Sequence, residues 1–189
     1  MIWSKMKQQL EGFISPALAG RVEYRASGYR YRPDKAGQCY ITVDRKEVFN
    51  MNDDSSGIRW FKTEQEIRND PDIQLPVTRE ELEAVRKCGG GSIPEERLAV
   101  IVRSRKITDY AKEMMAAQSE LSRADFGAAA VKFLSLPIEE CLESREILLN
   151  VLALIDRRLG KKRLLGMEEK IRLKHPVVQY FYELRLSAM

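Results

Sequence analysis

Few residues in this chain have the types and spacing that chemistry requires. The only histidine, His175, directly precedes Pro176. A metal centre or a histidine-assisted nucleophile would have to use it. With no second histidine and no HExxH or calcium-loop spacing, His175 reads as a local cap or a surface residue at a helix start, and no metal site is predicted. Cys88 opens the stretch CGGGS, Cys88 to Ser92. A phosphate cradle needs GxxxxGK and a hydroxyl residue after a strand, whereas these glycines follow a charged helix with no lysine behind them. Cys88 also lacks a neighbouring base, and a helix C-terminus disfavours its thiolate. The acidic clusters are Glu80, Glu81 and Glu83, then Glu95 and Glu96, then Glu139, Glu140 and Glu143. Glycosidic acid–base work needs two carboxylates across a cleft. Adjacent glutamates at helix starts complement the dipole instead. No catalytic residue and no cofactor is therefore assigned from the sequence.

The remaining constellation is basic. The run DRRLGKKRLLG, Asp156 to Gly166, lies in a window (155–174) with 8 basic and 3 acidic side chains, against a formal charge of +4 for the whole chain. Arg157, Arg158, Lys161, Lys162 and Arg163 are the candidate phosphate contacts. A second group, Arg21, Arg25, Arg30 and Arg32, interleaves with Tyr24, Tyr29 and Tyr31. Arginines and tyrosines on one sheet face would supply phosphate contacts and base stacking. Period 2 argues against that cooperation, because it sends Tyr24 and Arg25 to opposite faces. The run at 156–166 also has an explanation without a ligand. Cations at a helix C-terminus complement the dipole, and Gly160 is the expected C′ residue.

The elements that must position these residues follow from periodicity. Residues 2–10 predict a short helix with Ile2, Trp3, Met6 and Leu10 on one side. The alternation in RVEYRASGYRY predicts a strand over 21–32, with CYITV and KEVFNM as second and third strands joined at Asp44–Arg45. Met51 to Gly57 reads as a loop by composition. Beyond it the signals turn helical. Thr63 with Glu66, Thr78 with Glu81, and Ser122 with Asp125 all fit capping boxes. The segment NDPDIQLPV holds two prolines and cannot be helical throughout. One helix is expected to start at Ser92–Glu95, others at 108–118 and 123–134, and a long, wholly buried one at 137–159. The last begins at His175–Pro176, with Val177, Val178, Phe181 and Leu184 inward. The prediction is an α+β chain: an N-terminal helix and a three-stranded antiparallel meander packed against a mainly helical C-terminal part. It is read as a single domain, 1–189, with a soft sub-domain boundary at 88–92.

A chain of 189 residues, 32% charged and 44% apolar, can bury its own core. Three dispersed cysteines and the lack of an apolar leader in MIWSKMKQQLEGF predict a soluble, cytoplasmic protein with no membrane association. The opening WSKMKQQLEGFISPALAGRVEYRASGYRYRPDKAGQCYITVDRKEV and the closing HPVVQYFYELRL resemble a small uncharacterised bacterial protein family. That resemblance implies a bacterial cytoplasmic protein and supplies no activity or catalytic residue. Three functional readings stand in order. The first is a non-enzymatic binding or interaction protein, including self-association as a homo-oligomer. The second is a nucleic-acid-binding protein using the patch at 157–163 with the 21–32 arginines. The third is an enzyme with a carboxylate–arginine site such as Glu23 with Arg25.

Overall fold

A computed structural model describes residues 2–32, 34–89 and 93–189. The chain forms two compact units, Met1–Ser56 with Ser119–Met189, and Gly57–Gln118. The glycine-rich junction predicted at 88–92 falls within the second unit, and its residues 90–92 lie outside the described residues.

The first unit opens with α1 (Trp3–Phe13) and a single 3-10 turn, Pro16–Leu18. The strands β1 (Val22–Gly28), β2 (Gly37–Val43) and β3 (Lys46–Asn52) form the expected antiparallel meander in the order β1-β2-β3. Asp44 and Arg45, both at positive φ (49° and 67°), join β2 to β3. Two such residues make a type I′ turn, the hairpin connection that matches strand twist. Val22, Tyr24, Cys39, Ile41, Phe49 and Met51 are buried. Their face of the sheet lies under α1 and α5 (Arg123–Ser135), where Tyr24 and Trp3 meet Phe126. Past Gly28 the strand ends, and Tyr31 is 98% exposed, so the alternation at 29–32 does not extend β1.

The stretch Met51–Gly57 is not a loop. β3 runs to Asn52 and α2 (Asp53–Asn69) begins at the next residue. Asn52 Oδ1 accepts the N–H of Asp54 at 2.9 Å, and Asp53 and Asp54 occupy the first turn, so polar composition here is the chemistry of a helix start. Thr63 consequently lies within α2, buried, instead of capping a helix. The Asp53 carboxylate accepts the N–H of Gly37 and of Arg123, both at 2.9 Å, and so ties the starts of β2, α2 and α5 together. Ser122 and Asp125 cap α5 reciprocally, as expected.

The predicted helix over 137–159 is two helices, α6 (Ile138–Glu143) and α7 (Ile147–Ile155). The break is held by Asn150, which is buried on α7 and donates its amide to the carbonyls of Cys141 (2.8 Å) and Ser144 (3.0 Å). Those carbonyls have no helical partner once the chain turns. Every residue of α7 from Leu148 to Ile155 is buried, so the prediction of a central helix holds for this piece. Then come α8 (Lys161–Leu165), α9 (Glu168–Arg172) and α10 (Pro176–Ser187), which packs on α7. His175 caps α10, its Nδ1 accepting the N–H of Val177 at 3.2 Å.

The second unit contains most of α2, then α3 (Arg79–Cys88), entered through the Thr78–Glu81 capping box, and α4 (Glu95–Ala117). The two helices expected from Ser92 and over 108–118 are this one helix. It supports two small cores of its own, Ile67 with Ile107 and Ala111, and Val85 with Leu98 and Val102.

Candidate functional site

The nine basic candidates are distributed, and most are already engaged. Arg21 holds Asp44 through two hydrogen bonds of 3.0 and 2.8 Å, Arg25 holds Glu23 at 2.6 Å, and Arg32 pairs with Asp54. Arg21 and Arg32 flank opposite ends of β1, whose seven residues span about 20 Å. Arg25 lies on the sheet face away from Tyr24. The aromatic residue opposite it in register is Tyr40. Arg30 is exposed.

The run at 156–166 differs from its sequence reading in its local cause. α7 stops at Ile155, and the buried Asp156 accepts the Arg158 N–H (2.7 Å), Nε (2.8 Å) and Nη2 (2.6 Å). Residues 155–157 pair with the exit of α1, with Ser15 N–H on Ile155 O and Arg157 N–H on Phe13 O. The Arg158 guanidinium lies over the Phe13 ring at 4.4 Å and the Phe133 ring at 5.4 Å. Gly160, at φ −76° and ψ 156°, is the N-cap of α8, not a left-handed helix stop. Lys161, Lys162 and Arg163 thus begin a short helix, and Arg163 pairs with Glu139. Beside this run Arg185 is buried. One of its N–H groups reaches Leu159 O at 3.3 Å, and the loss of solvent lowers its pKa. Burial also pushes the Cys39 thiol up to about 11 and raises Cys141, so neither is a thiolate nucleophile at neutral pH.

A concave surface lies elsewhere, within the second unit, where the sequence reading had placed only structural helices. The end of α2, residues 70–77 and one face of α4 enclose an open groove of about 1060 Å³. Its walls are apolar at Ile67, Ile73, Leu75, Val77, Val100 and Ile107, with Arg68 and Arg103 beside the single acid Asp70. Residues 73–78 form neither helix, turn nor bend. Within them Ile73, Leu75 and Val77 are half-buried on the small cores, while Gln74 and Pro76 are exposed, a period of two that marks an extended strand-like segment. Lys106 ties this segment to α4 by donating its ammonium to Pro76 O and pairing with Glu81 at 2.9 Å.

Outside the groove, α2 exposes the apolar side chains of Ile58 and Phe61. Ile58, Phe61, Gln65 and Arg68 recur at helical spacing along one side of that helix and end at the groove wall. Ile58 is 61% exposed, Phe61 67% and, on the groove wall, Val100 67%, whereas α2 buries Ser56, Thr63 and Ile67. The alternation Ile73-x-Leu75-x-Val77 was the available signal for the extended segment. For α2 there was none, because an i,i+3 apolar pair ordinarily marks a core face.

The fold and these surfaces define an α+β protein, a helix-covered meander and a unit of three helices, presenting an apolar groove and a dispersed set of cations. The chain belongs to the SF0329 protein family, whose model matches residues 2–186. No curated protein and no solved structure matches it. No helix of the described residues is long and apolar enough to cross a membrane.

Proposed function

We propose that this is a binding and interaction protein that docks a partner protein through the unit Gly57–Gln118, along the α2 stripe and into the groove beside α4. One observation carries this reading: α2 turns Ile58 and Phe61 to solvent while its buried side holds Ser56 and Thr63 beside Ile67. A helix whose apolar side chains face outward has an apolar face that the free chain does not cover. Burying the exposed two-thirds of Ile58 and Phe61 in an interface would contribute about 2–4 kcal/mol before the costs of association. Arg68 and Arg103 give the groove a cationic rim suited to a partner segment that carries a carboxylate beside apolar side chains. The test is affinity capture with the full chain and with I58E/F61E, followed by reconstitution with the purified candidate. Hydrogen exchange should show protection of 58–69 and 100–107, with loss of binding in the variant, whose helical circular dichroism is unchanged. A partner held equally by both chains would refute the assignment.

A second reading, nucleic-acid binding, is supported by the placement of charge. Gly57–Gln118 carries 11 basic and 11 acidic side chains, so the formal +4 resides wholly in the other unit. Arg157, Lys161 and Lys162 are exposed there and form no ion pair among the described residues. Fluorescence anisotropy with DNA and RNA at low and physiological salt tests it, since a phosphate-driven complex weakens steeply with salt. The charge-reversal variant should take Arg157, Lys161 and Lys162 and spare Arg158, which neutralises Asp156. Absence of binding at low salt ends this reading.

A further inference from the structure

We propose that the outer face of the meander binds a neutral carbohydrate, holding sugar hydroxyls between Thr42, Glu47 and Asn50 and a sugar ring against Tyr40. This site lies within the first unit and does not depend on the groove.

Register places it. Side chains alternate between the two faces of a strand. α1 and α5 pack on the face that holds Tyr24, Ile41 and Phe49. On the other face Glu23, Thr42 and Glu47 form one row across the three strands, and Arg25, Tyr40 and Asn50 the next. Gln38 and Asn52 stand opposite one another in a third. Arg25 and Glu47 are exposed, and Tyr40 and Asn50 half-buried. Phe49 pairs with Ile41 but Glu47 with Thr42, so β3 carries Val48 as an extra residue between them. Such a bulge bends the strand and re-aims the side chains beside it. Glu47 here accepts the Asn50 amide at 2.7 Å.

Hydrogen bonds on this face are unevenly shared. The amides of Asn50 and Asn52 both reach Gln38 Oε1, each at 3.3 Å. Thr42 Oγ1 and Asn50 Oδ1 are buried and have no partner among the described residues. Thr42 is only 4% exposed. A buried polar atom without a partner costs stability, and valine would suit a strand at this position without that cost. Two such atoms on neighbouring rows of one face serve something other than the fold. The side chains flanking Thr42 across the strands are Glu23 and Glu47, and Glu23 is held by Arg25 in a half-exposed pair. Exposed pairs yield readily, so a ligand that draws either glutamate aside uncovers the hydroxyl between them.

The chemistry of the rows selects the ligand. They hold two acids, Glu23 and Glu47, against one base, Arg25, so the face does not attract phosphates. Tyr40 is the one aromatic side chain in them, too little for a protein interface, whose core is apolar. What they offer instead is amides, carboxylates and a hydroxyl. Sugar hydroxyls donate and accept at once, which satisfies such groups in pairs. The C–H side of a sugar ring packs on tyrosine. A neutral oligosaccharide meets each of these conditions.

The test is amide chemical-shift mapping and calorimetry of the full chain with maltohexaose, cellohexaose and N-acetylchitohexaose, and with oligouridylate as the anionic comparison. At least one saccharide should bind with a Kd of about 1 mM or tighter. It should shift the amides of Tyr40, Thr42, Glu47 and Asn50, with little dependence on salt. T42V should weaken that binding by about fivefold or more, while its thermal midpoint equals or exceeds the parent's, because the lost hydroxyl satisfies nothing in the free chain. A purely structural Thr42 predicts the reverse, a lower midpoint with unchanged affinity, and that result overturns the proposal. So does the absence of shifts with all three saccharides at about 10 mM, a response confined to another surface, or a face that answers to oligouridylate in their place.

Discussion

Replacing Asn150 with alanine should destabilise the first unit by about 2–5 kcal/mol. Asn150 is 3% exposed, and its amide nitrogen is within 2.8 Å of Cys141 O, 3.0 Å of Ser144 O and 3.4 Å of Leu142 O. Ser144 O keeps a donor after the substitution, because Lys174 Nζ also reaches it at 2.9 Å. Cys141 O loses its closest side-chain donor beside a helix end, which costs about 1–3 kcal/mol. The truncated side chain leaves a void among buried neighbours, worth about 1–2 kcal/mol more. Asn150→Leu fills the void and leaves the carbonyl unpaired, so it should recover only the second part. The assay is urea unfolding in a Trp60→Phe background. There fluorescence comes from Trp3, which sits against Phe126 in the same unit at 5.9 Å between ring centres. An alanine variant within about 0.5 kcal/mol of the parent would refute the reading that this amide holds the break between α6 and α7.

Three further outcomes follow from the backbone and the caps. Gly37→Ala should cost about 2–3 kcal/mol by thermal unfolding, because its Cβ would come within 2.4 Å of the Ser27 carbonyl oxygen, a backbone atom that cannot swing away. Arg45→Gly should raise stability by about 0.5–1 kcal/mol, since glycine relieves the left-handed φ of 67° at the hairpin turn at some cost in unfolded-state entropy. The Thr78 N–H, with Lys106, holds Glu81 below the ordinary glutamate range. Its depressed folded pKa means that the capping box supports α3 above the unfolded pKa and loses that support as pH falls through the folded one. The amide protection factors in the first turn of α3, taken relative to the intrinsic exchange rate at each pH, should therefore fall in acid, and Glu81→Gln should flatten that dependence.

The sequence was most informative where one physical rule acted alone. The meander follows from period 2 in residues 22–26 and 39–43, and the capping boxes at Thr78 and Ser122 from paired oxygens at a fixed offset. Errors arose where one composition serves two structures. Met51 to Gly57 reads as a loop because the residues that terminate order also cap helices. Gly160 reads as a helix stop, yet α7 had already ended at a buried aspartate whose own arginine neutralises it. The continuous apolar pattern over 137–159 concealed a break because Asn150, the one polar residue in ILLNVLALI, satisfies carbonyls nine and six residues earlier. The groove was hidden for a different reason. Exposure of Ile58 and Phe61 depends on which side of α2 meets α4, and hydropathy does not encode that choice.

The net positive charge and the apolar groove lie in different units of this protein, and the separation distinguishes the functional readings by a single variable. The unit carrying the net positive charge holds most of its candidate cations in local pairs, as with Arg21 and Asp44, Arg25 and Glu23, and Arg163 and Glu139. Exposed pairs of this kind add little to stability but cancel the field at short range. What remains, around Arg157, Lys161 and Lys162, acts through long-range attraction and is screened within about 8 Å at physiological salt. The neutral unit offers Ile58, Phe61 and Val100, whose contribution comes from area removed from water and persists at high ionic strength. A partner held by the groove should therefore keep most of its affinity as salt rises, and one held by the basic run should lose it. Salt dependence thereby assigns a bound partner to one unit or the other before any interface is mapped.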